Sequence, residues 1–171
     1  TNSEMSESTQ TLPSKVASLP RAVAQSKSFG AATHNDRIDS ILLRLNSIRA
    51  ESPDNRLIVG ISSSNHKAGV STIAGKLAVR AAEMAMGRIL LIDGNLSAPT
   101  LGNVFGLRRK EGLADILGRE VDIPNLLHNG VVDGLHVLPA GSPTYLQSVT
   151  VMPDVIGAMM SELRNEFDLI K

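Results

Sequence analysis

Between Gly60 and Thr72 the chain reads Gly-Ile-Ser-Ser-Ser-Asn-His-Lys-Ala-Gly-Val-Ser-Thr. Glycines and small hydroxyl residues at this spacing suit a turn whose backbone N–H groups converge on an anion, provided a helix follows and adds the partial positive charge of its first turn. The phosphates of a nucleotide are what such a loop holds. Ser64, Gly69, Ser71 and Thr72 are the residues expected to hold them, and the Ser71 hydroxyl is placed to ligate Mg²⁺. One position breaks the usual Gly-Lys-Ser/Thr ending. Gly69 and Ser71 flank Val70, so an isopropyl group stands where an ammonium would reach the β- and γ-phosphates. Lys67, in the same turn, is the nearest cation able to stand in, and a solvated side chain is its plainer role. Lys76 follows Gly75 but precedes Leu77, which assigns it to the helix and not to the loop's mouth.

A second candidate is Asp93-Gly94-Asn95, which follows the apolar run Arg88-Ile-Leu-Leu-Ile. A carboxylate at the carboxyl end of a buried strand lies where open α/β sheets bind ligands. Asp93 is therefore a candidate for catalysis and, with Ser71, for the Mg²⁺ shell, and Asn95 is a candidate nucleotide contact. Capping of the following turn is the structural alternative for Asp93. The histidines, His34, His66, His128 and His136, lack metal-ligand spacing and read as three surface residues and one strand residue. Met84, Met86, Met159 and Met160 read as core filler.

The elements that position these groups are legible in the apolar periodicity. Arg56–Ser62 is suited to a strand covered on both faces, Ser71–Met86 has helical spacing rich in Ala, and Arg88–Asp93 is a second buried strand. Two strands joined by a helix predict a right-handed βαβ crossover. Upstream, Asp36–Arg49 forms an amphipathic helix capped by Asn35 or Asp36, with Ile38, Ile41, Leu42, Leu45 and Ile48 on one face. Downstream, Gly112–Leu117 suggests a short helix, Leu135–Leu138 a short strand and Met152–Glu166 a longer helix. Phe167-Asp-Leu-Ile-Lys171 opens a further strand, and the alternation predicts another central strand and the remainder of the sheet beyond Lys171. No tandem repeat is present.

Composition narrows the function classes. The 171 residues suffice for one domain, and 17 basic against 17 acidic residues give no footprint for nucleic acid. Three Phe and one Tyr leave little for base stacking, and the absence of cysteine excludes disulfides and thiolate metal sites. No run approaches membrane-spanning length. Residues 1–34, rich in Ser, Thr, Ala and Gln with Pro13 and Pro20, read as a flexible linker. Lys15, Arg21 and Lys27 are too scattered for a basic membrane patch. The chain opens on Thr1, which favours a piece of a longer protein. Arg108-Arg109-Lys110 reads as a solvated loop, with contact to an acidic partner or lipid head group as the alternative.

Taken in order, Ile61-Ser-Ser-Ser, Gly69-Val-Ser-Thr72, Leu90-Leu-Ile-Asp-Gly-Asn-Leu-Ser-Ala-Pro-Thr-Leu101, Phe105-Gly-Leu107, Gly112-Leu-Ala-Asp-Ile-Leu117 and Leu135-His-Val-Leu-Pro-Ala-Gly141 resemble the cytoplasmic domain of bacterial tyrosine kinases. These are the autokinases of exopolysaccharide and capsule assembly, related to the ParA and MinD ATPases. The likeness runs from about Asp54 to the last residue. It implies an α/β, P-loop NTPase-like three-layer sandwich with a mostly parallel sheet whose C-terminal part lies outside the chain. The domain is expected over 35–171, truncated before the Walker B strand.

The departures fall on the chemistry. The family carries a lysine where this chain has Val70, a second aspartate where it has Asn95, and a basic residue where it has Ser97. The family's third motif and C-terminal tyrosine cluster have no counterpart here, and Tyr145, which follows Pro143 in what reads as a loop, is not expected to be an autophosphorylation site. Of the family's ring-forming arginine motif, Arg44 matches one position. Losing the lysine removes roughly 1.5–3 kcal/mol of ground-state interaction and more in the transition state, whereas backbone amides and Ser71 still suit ATP or ADP with Mg²⁺.

The leading expectation is a catalytically degenerate kinase-like domain that regulates or scaffolds polysaccharide assembly and export. Its expected partners are a transmembrane polysaccharide co-polymerase subunit, or an upstream domain of the same chain, and further copies of itself. Its expected location is the cytoplasm, at the inner face of the membrane. The alternatives are an active tyrosine autokinase using Lys67 and a positioning ATPase of the ParA or MinD kind.

Overall fold

The computed structural model describes residues 31–65, 68–107, 111–118, 122–130, 132–141 and 153–171, with side chains from Asn35 onward. Residues 1–30 of the linker expected over 1–34, Tyr145 and the Arg108–Lys110 run lie outside them, while residues 31–34 are not linker but the start of a helix. Four short apolar runs, β1 (Leu57–Ile58), β2 (Ile89–Ile92), β4 (Leu135–Leu138) and β5 (Leu169–Ile170), form a parallel sheet. The ribbon β3 (His128–Asn129) adds an antiparallel edge beside β4, giving the order β1-β5-β2-β4-β3.

Strand alternation sorts the side chains into two cores. Ile89, Leu91, Leu135, Val137 and Leu169 face α1 (Ala31–Glu51) and α2 (Val70–Glu83). Leu90, Leu138 and Ile170 face the other way, toward α4 (Leu113–Gly118), α5 (Ile123–Leu126) and α6 (Pro153–Glu166). Both faces are covered, which is why these strands read as continuous apolar runs. The expected three-layer α/β sandwich with a mostly parallel sheet is what forms.

Three local expectations are corrected. The predicted Arg56–Ser62 strand shortens to β1, which pairs with β5 alone over Leu57–Ile58, with one further bond from the Val59 N–H to the Ile170 carbonyl at 2.8 Å. The helix predicted from Asp36 is already running at Ala31, so neither Asn35 nor Asp36 caps it, and the Asp36 carbonyl instead accepts the Ser40 hydroxyl. Its buried stripe is Ile38 and Leu42 with half-buried Leu45, while Ile41 and Ile48 are 44% and 52% exposed. A single seam against α2 needs only residues four apart, and the Arg80–Asp39 fork, at 2.7 and 2.9 Å, fixes which seam it is. Guanidinium contact holds the Asp39 carboxyl below the usual carboxylate range.

Other elements had left no periodic signal. The short helix α3 (Leu101–Val104), α5 and β3 are set by tertiary contact. The Phe105 ring next to α3 lies 3.5 Å from where a Cβ on Gly75 would sit, an ordinary packing distance, so α3 rests directly on the Gly75 face of α2. β5 enters the middle of the sheet between β1 and β2, so the strand opened by Phe167 is itself a central one.

Leu42 is fully buried at the α1–α2 seam and Leu43 is 59% exposed. Leu42→Ala should therefore lower unfolding free energy by about 2–5 kcal/mol, and Leu43→Ala by no more than about 0.5 kcal/mol, read from urea midpoints.

Candidate functional site

At the carboxyl end of the parallel strands the segment after β1 and the segment after β2 face each other across a groove of about 950 Å³, a volume suited to a nucleotide. One wall is built from Ser64, Gly69, Ser71 and Thr72, the other from Gly94, Asn95 and Thr100. Gly69 precedes α2 in the left-handed region, at φ 79° and ψ 17°, a conformation that glycine adopts without strain. No side chain caps α2, so its first-turn N–H groups are left for a ligand in the groove. A Thr100 hydroxyl that donates to the Ser71 hydroxyl ties the two walls together.

Asp93 lies beneath the groove and not in its lining. It is 3% exposed and its carboxylate accepts three backbone N–H groups, from Asn95 at 3.2 Å and from Thr100 and Leu101 at 2.9 Å each. Those bonds are the turn-capping role raised from sequence, and they set the conformation of the whole second wall. Asn95 acts one layer out, its side-chain oxygen accepting the Ala98 N–H at 3.1 Å.

Five residues expected from sequence thus line one groove: Ser64, Gly69, Ser71, Thr72 and Asn95. Lys67 and His66 lie outside the described residues, and Lys76 sits inside α2 as expected. His128 and His136 both fall on strands and are half-buried, which corrects the expectation of a single strand histidine; burial pushes the His136 imidazole below its ordinary range. Among the described residues no group of His, Asp or Glu side chains is disposed to hold a metal alone. The groove does fit a phosphate chain, since its donors are amides and hydroxyls, and a Mg²⁺ carried with that phosphate needs only one or two protein ligands. No described lining residue carries a cationic side chain.

Two residues were not singled out from sequence. Thr100 is legible as the residue before a short helix but gave no sign of pairing with Ser71. Lys171 is the stranger case: it ends an apolar strand, is 8% exposed, and its Nζ is buried without a hydrogen-bond partner. Burial pushes its ammonium down to about 8. A lysine at the end of Phe-Asp-Leu-Ile was the available signal.

The Gly112–Leu117 segment also gains a physical role. The N–H groups of Leu113 and Ala114 bond the carbonyls of Pro139 and Ala140 at 2.8 Å, docking α4 on the end of β4, and buried Asp115 accepts the Gly112 N–H at 2.7 Å. A Cβ at Gly112 would lie 2.1 Å from the Pro139 carbonyl oxygen, so the glycine is obligatory.

No family model matches the chain. Among curated relatives, an uncharacterized ATP-binding protein of Methanocaldococcus jannaschii, MJ0169, is 29% identical over 118 residues, covering 67% of this chain and 43% of the relative. EpsB of Ralstonia solanacearum, provisionally named a tyrosine-protein kinase, is 31% identical over 83 residues, 48% of this chain and 11% of EpsB. Of solved structures, the chimerical protein CapA2B2 matches with a TM-score of 0.60 at 27% identity, over 74% of this chain and 55% of that one. The septum site-determining protein MinD of Pyrococcus horikoshii, solved with Mg-ADP, matches with a TM-score of 0.57 at 23% identity, over 66% and 46%. The chain spans less than half the length of these two curated relatives.

Asp93→Ala leaves three backbone N–H groups without their acceptor. It should cost about 2–4 kcal/mol of stability and speed amide exchange at Thr100 and Leu101, with Asp93→Asn, which keeps one acceptor oxygen, falling in between. Chemical denaturation and hydrogen exchange read both.

Proposed function

We propose that this chain, which has the P-loop NTPase-like fold and resembles the bacterial tyrosine kinases, is a catalytically degenerate relative of them, one that holds a nucleotide and acts through protein contacts. The observation that carries the reading is Val70 at the mouth of an otherwise well-formed phosphate groove with no cationic side chain among its described lining residues. Phosphoryl transfer depends on positioned positive charge around the transferring group. Amides and the dipole of α2 support binding of the ground state, but they do not replace the charge that develops in transfer.

In this reading Ser64, Gly69, Thr72 and Asn95 position the phosphates. Ser71 and Asp93 would hold a Mg²⁺, which when bound neutralises phosphate charge; the Ser71 hydroxyl already bonds Thr100 and Asp93 already serves three amides. Both groups must therefore share their lone pairs, and Asn95 offers a neutral oxygen where a second carboxylate would assist. Each of these features weakens turnover more than binding.

The biological role that follows is a regulatory or scaffolding part of exopolysaccharide or capsule assembly, working at the inner face of the membrane with a transmembrane co-polymerase subunit or an upstream domain, and with further copies of itself. The tyrosine-kinase naming of EpsB and the CapA2B2 likeness support that placement. The ATP-binding name of MJ0169 and the Mg-ADP in the MinD structure support the choice of nucleotide.

Calorimetric titration with Mg-ADP and Mg-ATP should give dissociation constants on the order of 0.1 mM, as expected when a charged contact is missing from a micromolar site. Gly69→Asp, which sets a carboxylate against the phosphates, should abolish that heat, and ATP turnover should stay at background with or without Lys67→Ala. Turnover that falls on replacing Lys67 would instead establish an active autokinase, and no heat at millimolar nucleotide would sink the nucleotide-binding part of the reading.

A further inference from the structure

Thr100 is the residue before α3, where a threonine ordinarily turns its hydroxyl back onto the first N–H groups of the helix. It makes no such bond. Its hydroxyl is turned across the groove instead and donates to the hydroxyl of Ser71, in the first turn of α2. Both residues line the groove, so the hydroxyl pair stands where a phosphate chain seated on the start of α2 would carry its cation.

The position of Thr100 is fixed from behind. Its N–H and that of Leu101 both donate to Oδ2 of Asp93 at 2.9 Å, and the Leu101 side chain, 2% exposed, is anchored in the core shared with α2. Ser71 is fixed by α2 itself. Two hydroxyl oxygens from separate elements are thus held in contact. An octahedral Mg²⁺ with ligands at about 2.1 Å sets adjacent ligand oxygens about 3 Å apart, close to the separation of two hydroxyls that share a hydrogen bond. Rotation of each hydroxyl presents a lone pair to one ion without moving either backbone. The other oxygens nearby are less free: Asp93 is 3% exposed and accepts three backbone N–H groups, and the Asn95 side-chain oxygen accepts the Ala98 N–H.

We propose that the Thr100 hydroxyl is a ligand of a nucleotide-borne Mg²⁺, adjacent to Ser71 in its shell, and that Asp93 is the positioning residue behind it. The inference rests on the nucleotide-binding part of the proposed function and deepens it, because the ion's second protein oxygen then comes from the wall opposite α2. Without a nucleotide the two hydroxyls satisfy each other. With one, they exchange that bond for the cation, and phosphate oxygens and water complete the shell.

ADP is titrated into the chain with excess Mg²⁺ and again with EDTA. Mg²⁺ should tighten binding by the wild-type chain. Thr100→Val keeps the shape and loses the hydroxyl, and it should bind Mg-ADP about 10-fold more weakly while binding metal-free ADP as the wild type does. Equal loss with and without Mg²⁺ would mean a hydroxyl that only shapes the loop, and Mg-ADP binding as tight as wild type or tighter would mean a latch that the metal must break. Either result overturns the inference, as does wild-type binding that ignores Mg²⁺; a wild-type chain that binds no ADP in either condition overturns the nucleotide reading with it. The sequence has no cysteine, so Thr100→Cys gives a second test that stands even if the valine variant fails to fold. A thiolate ligand favours Cd²⁺ over Mg²⁺, and replacing Mg²⁺ by Cd²⁺ should raise the ADP affinity of Thr100→Cys about 10-fold more than the same exchange does for the wild-type chain. An equal response of the two chains overturns the inference and leaves nucleotide binding standing.

Discussion

The buried carboxylate of Asp93 is the constraint on which the site depends. A parallel strand that ends beneath a ligand groove must turn its chain sharply, and the N–H groups of that turn need acceptors once water is excluded. Asp93 supplies them for Asn95, Thr100 and Leu101 at once. With that turn held, Thr100 meets Ser71 across the groove and Leu101 enters the core shared with α2. The same residue type in the same place therefore serves the fold before it serves any chemistry, and a metal would have to draw on lone pairs already in use.

The groove shows how far backbone can go without side-chain charge. Gly69 in the left-handed region turns the chain into α2, and the uncapped helix start leaves N–H groups for an anion. Those partial charges attract phosphate at close range. They are fixed and modest, which suits holding a ground state more than following charge as it moves. Val70 in this frame separates two properties that phosphate loops usually combine, an anion seat and a movable ammonium.

Much of this was legible in the sequence because the covered strands β2 and β4 are unbroken apolar runs and α2 and α6 are long enough for their periodicity to speak. Ser64, Gly69, Ser71, Thr72 and Asn95 fall on one groove because strand, turn and helix follow each other without insertion. The buried face of α1 was misread, since Ile41 and Ile48 carry the same apolar signal as Ile38 and Leu42, and only the Asp39–Arg80 pairing distinguishes the seam. α3, α5 and β3 are too short to show a period and are fixed by neighbours distant in sequence.

The central claim is that the phosphate loop keeps its frame and lacks the ammonium at Val70. Restoring that group tests it most directly: the affinity of Val70→Lys for Mg-ADP should rise about 10- to 100-fold over the wild-type chain, because the loop already presents the geometry the lysine needs. Unchanged affinity in a folded Val70→Lys variant would contradict the account, since it would mean that the groove does not bring phosphate to the start of α2.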